Sequence, residues 1–538
     1  MADGPLARAT SLVDVLNRAG ILDPRRVPAL SLALARWGPT VAAPYTASAI
    51  SHPMRAAVID DDGEVSFFRL DRDSTATAMG LHRRGLRRGD DLGVACRNHR
   101  EFVEVTIAAA KAGLGVVYLN TSFGAPQLNE VLARESVAGL VVDSELLELV
   151  DIDAFAGPIV VTDLAATPTV GPSDLPVRTV ALEDVRDHRP LRLPLRPSLP
   201  VPPILLTSGT TGTPKGARRT TSGVDATAAA GLFNRIPYRH DDVVAITSPL
   251  FHAWGLAQLG LAAALGCTAS VSRRFDADDT LRRIETDGAT VLAVVPAILQ
   301  RLLASPRLAD SDLSALRIVA SSGSALPVPV VEEWHERVAV NLYNLYGSTE
   351  VGQASLATPA ELADEPATAG RVLDGSVVAI LDDDGAEVPP GETGRIFVGN
   401  AGQFDHYTGG GGKEIVDGLM SSGDVGHLRD DGLLFVTGRA DDMIVSGGEN
   451  VFPQEVEDLL LAHPEIDDAA VVGVDDESLG QRLVAHVVLV EGSSLSDERV
   501  RRHVSASLAR HKTPRDVYLV DELPRTATGK LRRRDLAS

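Results

Sequence analysis

The sequence predicts an α/β chain: a large N-terminal part made of α/β layers with a β-rich region at its end, followed by a small α+β unit. Three observations carry this. Helical and strand-like patterns alternate over the first third of the chain, and the alternation resumes after the proline-rich connector "RPLRLPLRPSLPVPP". From about Ser376 the helical period gives way to short strands with Gly and Asp turns. At 538 residues the chain is also too long for one ordinary core.

The elements follow in order. "SLVDVLNRAGILDPRRVPALSLALARWG" has apolar residues at helical spacing and is expected to pack on the body rather than graze a membrane. "AAVIDDDGEVSFFRL" reads as a hairpin around an Asp/Gly turn. "DSTATAMGLHRRGL", "REFVEVTIAAAKAG" and "PQLNEVLARESV" read as helices, and "DLGVACRN", "GVVYLN" and "AGLVVD" as the strands between and after them, the signature of parallel layers. A second alternating run passes from "VVAITSPL" through "TVLAVVPAILQRLL" and "ALRIVASSGSALP" to "NLYNLYGSTE". "VVAILDDDGAEVPPGETGRIFVGN" marks the β-rich region, and a compact α+β segment follows "FVTGRADDMIVSGGEN". There is no internal repeat.

Composition narrows the class. There are 73 acidic and 51 basic residues, a net charge of −22, and the basic residues are scattered, which argues against nucleic acid and anionic membrane surfaces as partners. Cys96 and Cys267 are the only cysteines and have no metal spacing, so neither a disulfide framework nor a zinc site is expected, and a reducing cytoplasm fits. No apolar run approaches the length of a membrane span, and the N-terminus lacks a basic region before an apolar core.

Five stretches carry chemistry. In "ILLTSGTTGTPKGARR" a strand breaks into a loop whose Gly209-to-Lys215 spacing suits a Walker A motif, but Pro214 stands where the second Gly belongs and Gly216 where Ser or Thr should ligate Mg²⁺. Its glycines allow close backbone approach, and Ser208, Thr210, Thr211 and Thr213 offer hydroxyls, so a closing polyphosphate clamp competes with a plain surface linker. "SPLFHAWG" places His252 between aromatics, either a core ring or a catalytic one. "YGSTE", Tyr346 to Glu350, offers an aromatic face, a hydroxyl and a hard oxygen ligand; a helix N-cap at Ser348 or Thr349 is the alternative. Asp424 in "SSGDVG" is placed to accept ribose hydroxyls, or is a turn aspartate. In "PRTATGKLRRRDL", Gly529 presents Lys530 on a loop, against the reading of a solvated basic tail.

Together these stretches resemble the adenylate-forming superfamily, within it the acyl-CoA synthetase (fatty-acid–CoA ligase) branch. "TSGTTGTPKG", "YGSTE", "SSGDVGHL", "GRADDMIVSGGENVFPQEVE" and "PRTATGKLRR" match its motifs in order and spacing over nearly the whole chain. The resemblance implies an N-terminal domain over residues 1–440, a mobile C-terminal domain over 441–538 and a hinge at Asp441. It implies ATP, Mg²⁺ and CoA as cofactors and a small carboxylic acid as substrate, with an acyl carrier protein as an alternative acceptor. Thr207, Ser208, Gly209, Thr210, Thr211, Gly212 and Lys215 would meet the β- and γ-phosphates. Tyr346 would lie against adenine, Thr349 on the α-phosphate, Asp424 on ribose and Arg439 near ribose and phosphate, with Gly323, Asn344 and Gly347 also lining the nucleotide. Glu350 with Thr207 would hold Mg²⁺, Lys530 would bridge the carboxylate and α-phosphate, His252 would gate the acid pocket, and Gly447 and Gly448 would replace Lys530 in the second half-reaction.

Such equipment suits the chemistry. Attack of a carboxylate on the α-phosphorus brings two anions together, so Mg²⁺ and a cation must offset the repulsion, and no proton transfer is demanded. Two departures from the family pattern stand out: Arg395 in "TGRIFV", where Glu is common, and the glycine-rich loop Thr408 to Gly418. "FHAWGLAQLGLAAALG" holds no acid to pair a substrate ammonium, which disfavours amino acids. "TEVGQAS" lacks the Trp that acetate-specific relatives carry. The expected acid is therefore neutral and apolar beyond its carboxylate, medium- or long-chain fatty acyl ahead of aryl.

Overall fold

The computed structural model describes residues 17, 20, 23–164, 176, 178–187, 201–207, 214–219, 226–446, 449–476, 478–526 and 529–537. Two compact units emerge: Met1–Val294 with Ala304–Ala320 and Ala401–Gly412, and Val295–Leu303 with Ser321–Asn400 and Lys413–Ser538. The mixed α/β architecture is the one the sequence predicts.

The first unit contains an eight-stranded sheet in the order His406–Tyr407, Lys215–Arg218, Ile204–Thr207, Gly115–Tyr118, Asp91–Ala95, Gly139–Asp143, Ile159–Thr162, Thr179–Ala181. From Ile204–Thr207 onward all pairings are parallel. Every residue of Gly115–Tyr118, Gly139–Asp143 and Ile159–Thr162 is buried, as expected of parallel strands covered on both faces. Leu128, Val131 and Leu132 of the helix Ala125–Arg134 pack with Val117, Leu140, Val142, Val161, Ile204 and Leu206 in one apolar cluster. A second parallel layer brings Ala56–Asp60, Thr268–Val271, Val243–Ile246 and Val291–Val294 together. The hairpin expected at "AAVIDDDGEVSFFRL" forms, with Asp60 opposite Gly63, but its second strand stops at Ser66. The Ser66 hydroxyl accepts the Arg69 N–H and caps a helix that already starts at Phe67, so the "FFRL" segment is helical.

In the second unit an antiparallel sheet runs Leu342–Ser348, Gly352–Ala357, Thr368–Val372, Leu433–Arg439, Leu419–Leu428, Gly394–Gly399, Val377–Leu381. A smaller sheet of Ile444–Ser446, Glu449–Val451, Ile466–Asp476, Gly480–Leu489 and Asp516–Leu519 is covered by the helices Pro453–Leu461 and Asp497–Ser507. Its core, including Ile444, Val456, Leu460, Val471, Leu483, Ala485, Val500 and Val504, is its own. The expected boundary at residue 441 falls in the short turn Ala440–Asp442 that joins the two sheets.

Candidate functional site

The loop that opens the motif series is framed by two antiparallel strands. Thr207 pairs with Lys215 and Leu205 with Ala217, so the chain leaves the loop as a strand and not as a helix. A Walker A loop feeds a helix whose N-terminus receives the phosphate, and that arrangement is absent here. Ser208, Gly209, Thr210, Thr211, Gly212 and Thr213 lie outside the described residues, as does the Thr207 side chain.

The exit of the loop is braced on three sides. Arg134 Nη2 donates to the Pro214 carbonyl at 2.6 Å, the Gly216 N–H donates to Thr408 Oγ1 at 3.0 Å, and that hydroxyl donates to the buried Glu135 carboxylate at 2.7 Å. The Lys215 ammonium lies 5.5 Å from the centre of the Tyr407 ring. Thr408 opens the glycine-rich loop whose role the sequence left open, and its position makes it a clasp on the strand that carries Lys215. His252 occupies the N-cap position of the helix Ala253–Leu265 without capping it, half-buried, its ring 4.5 Å from that of Phe251. Two residues on, the Trp254 indole N–H donates to the Val294 carbonyl at 2.9 Å.

The second unit gathers the other predicted residues. In Leu342–Ser348 the half-buried Asn344, Tyr346 and Ser348 lie on one face, because strand side chains alternate. A bulge at Tyr346/Gly347 shifts the register, and a Cβ on Gly347 would lie 2.2 Å from the Gly352 carbonyl, so the turn tolerates only glycine there. Residues 349–351 form that turn, which excludes the helix N-cap reading. Ser348 Oγ donates to Glu350 Oε2 at 3.0 Å and accepts the Glu350 and Val351 N–H groups, which fixes the acid's direction. Gly323 follows the strand Ile318–Ser322 in a left-handed conformation with φ of 100°.

Asp424 and Arg439 are cross-strand partners, with Nη1 to Oδ1 at 3.3 Å. Asp424 Oδ2 accepts the Tyr346 hydroxyl at 2.6 Å. Burial pushes the Asp424 carboxyl above its ordinary pKa, and the Tyr346 hydrogen bond and Arg439 pull it back. Burial and then Asp424 hold the Tyr346 phenol well above its usual range. Lys530 keeps solvent access along its side chain, yet the protein around its ammonium lowers its pKa through desolvation and then through Arg439, against Glu350 and Asp424. Two cations and two carboxylates therefore share one field. Asp441 lies 3.6 Å from Arg439 Nη2, while Gly447 and Gly448 lie outside the described residues.

Sequence reasoning treated Tyr346 and Asp424 as separate contacts and missed their mutual hydrogen bond, which joins residues 78 positions apart. It also missed the Thr408–Glu135 brace, for which the glycine run was the available signal. Cys96, His99 and Asp143 lie close enough to suggest a metal site, but they are already paired. His99 Nε2 bonds Asp143 at 2.9 Å, its Nδ1 accepts the Glu101 N–H at 3.2 Å as the cap of Arg100–Ala112, and Thr162 donates to the same aspartate at 2.7 Å. Both cysteines are buried and neither forms a disulfide. No helix among the described residues is long and apolar enough to cross a membrane.

Comparison with known proteins adds the remaining findings. The AMP-binding enzyme family matches residues 45–408, and the AMP-binding enzyme C-terminal domain matches 455–530. An indoleacetate–CoA ligase of Aromatoleum aromaticum is 34% identical over 493 residues, 90% of this chain and 95% of the relative. A fatty acid–[acyl-carrier-protein] ligase, ScoC, of Streptomyces coeruleorubidus is 30% identical, over 90% of this chain and 93% of its own. The solved structure of O-succinylbenzoate coenzyme A synthetase from Bacillus subtilis, in complex with ATP and magnesium ion, is 26% identical with a TM-score of 0.78, covering 92% of this chain and 99% of that one.

Proposed function

Because the chain belongs to the AMP-binding enzymes, we propose that it joins an apolar, ring-bearing carboxylic acid to CoA through an acyl adenylate. As an ATP-dependent acid–thiol ligase it releases AMP and pyrophosphate, and it uses Mg²⁺. The observation that carries the reading is the half-buried Asp424 carboxylate held by both the Tyr346 hydroxyl and Arg439, with the Lys530 ammonium in the same electrostatic field.

The roles follow from that cluster. Asp424, held by Tyr346 and Arg439, offers a carboxylate to two vicinal hydroxyls of ribose, while the Tyr346 ring offers a face to adenine. Lys530 supplies positive charge where an acid oxygen and the α-phosphate approach each other. Glu350, aimed by Ser348, would be the hard oxygen ligand for Mg²⁺, whose charge would screen the polyphosphate. Lys215 and the loop before it take the departing pyrophosphate.

The acid is proposed to carry an aromatic ring. The helix Ala253–Leu265 beside His252 carries no charge, which suits an acid that is apolar beyond its carboxylate. The similarity to the indoleacetate–CoA ligase supports the ring. A fatty acid passed to a carrier protein is the second reading, favoured by the likeness to ScoC. Cytoplasmic residence is proposed from the two cysteines, neither of which forms a disulfide. The test supplies ATP and Mg²⁺ with indole-3-acetate, 2-succinylbenzoate, decanoate, acetate or phenylalanine, with either CoA or a carrier protein as acceptor. AMP and an aryl-CoA are the expected products. ADP would refute the ligase reading, and decanoate preferred with carrier protein would establish the second one.

A further inference from the structure

We infer that Ala297 and Gln300, on the helix Pro296–Ala304, are positioning residues for Lys530: they seat the lysine loop in the arrangement that forms the adenylate. The inference rests on the role proposed above for Lys530. The loop is closed on itself. Arg525 and Leu531 pair as a β-bridge, the Thr526 N–H donates to the Lys530 carbonyl at 2.8 Å, and the Gly529 N–H donates back to Thr526 at 2.8 Å. It is also tied to the strand Ile466–Asp476. Arg525 Nη2 reaches both Asp468 oxygens at 2.7 and 2.8 Å, and its Nη1 donates to the Gly529 carbonyl at 2.8 Å.

One side of this small assembly meets the helix Pro296–Ala304 at two points. Gln300 Nε2 donates to the Asp467 carbonyl at 2.9 Å, one residue from the Arg525 anchor. At the other point a Cβ placed on Gly529 would lie 2.7 Å from Ala297 Cβ, so the loop backbone rests directly on that methyl group. Residues 297 and 300 are three apart on a helix and share a face. Gly529 also has φ of 76°, so the contact depends on a glycine above and a small residue below. Neither Ala297 nor Gln300 belongs to the apolar core of the C-terminal sheet. Their removal should leave that fold intact while freeing the loop, and the backbone that carries Lys530, one residue beyond Gly529, would then lose its fixed position.

The experiment reads two half-reactions and stability in Ala297→Leu and Gln300→Ala. Pyrophosphate release from acid and ATP measures adenylation; thioester formation from chemically prepared acyl adenylate and CoA bypasses Lys530. Ala297→Leu is expected to slow adenylation by roughly tenfold to a hundredfold, the usual cost of misplacing a reacting group by about 1 Å, and Gln300→Ala by about threefold. Thioester formation and melting temperature should stay near those of the unaltered chain. Equal loss in both half-reactions, or adenylation within about twofold of normal in both variants, overturns the inference. If Ala297→Leu does not fold, Gln300→Ala alone decides on the same criterion. Lys530→Ala is the control: adenylation unaffected in that variant would refute the role of the lysine itself, a failure distinct from that of its seat.

Discussion

Replacing Tyr346 by Phe keeps the ring and deletes one hydroxyl, which donates to Asp424 at 2.6 Å. A hydrogen bond to a charged group contributes about 1.5–3 kcal/mol, and Arg439 at 3.3 Å remains to compensate partly, so the lower end applies. Since 1.36 kcal/mol is a factor of ten, kcat/KM for ATP should fall roughly tenfold. A second signature is independent of that loss. The Tyr346 hydrogen bond favours the ionised Asp424 and so opposes the upward shift caused by burial. Deleting it raises the pKa further, so the acid limb of the pH–rate profile should move to higher pH. The assay is kcat/KM for ATP from about pH 5 to about pH 9, with Asp424→Asn for comparison. A profile whose acid limb stays in place, together with an ATP KM within about twofold of normal, would show that Asp424 does not act on the nucleotide as an anion held by Tyr346.

Lys530→Ala should abolish adenylation yet still convert supplied acyl adenylate to thioester, whereas Asp441→Pro, which fixes φ in the turn Ala440–Asp442, should form adenylate and accumulate it; separate pyrophosphate and thioester assays decide. His252→Ala should slow turnover while the melting temperature changes little, because the ring is only half-buried; a large fall in melting temperature would make it a packing residue. Asp458 is pushed up to about 7 by burial and then by Glu457. Stability from a carboxyl with a raised folded pKa is present at low pH and lost as pH rises through that value, so Asp458→Asn should stabilise most above about pH 7, by up to about 4 kcal/mol, with the gain shrinking as pH falls towards about 4. Denaturant titration at several pH values checks this, and a gain independent of pH would contradict it.

Local pattern determined the layers, the order of the motifs and the class of chemistry. Alternation of two periodicities is written into neighbouring residues, and a short motif such as "YGSTE" keeps its turn wherever the chain places it, so Tyr346, Glu350, Asp424 and Lys530 were legible as candidates for a functional site. Local pattern misjudged Phe67–Leu70, where one serine hydroxyl converts an apparent strand into a helix start. Only tertiary structure decided that the loop before Lys215 returns as a strand beside Ile204–Thr207, that Thr408 clasps Gly216, that Tyr346 holds Asp424, and that Ala297 supports Gly529. Each of these contacts joins residues whose separation in sequence carries no period. They arise from which strands become neighbours in a sheet and which helix lies against a loop, and the free energy that selects them is the burial of the whole core, spread over many side chains and recorded in no single stretch.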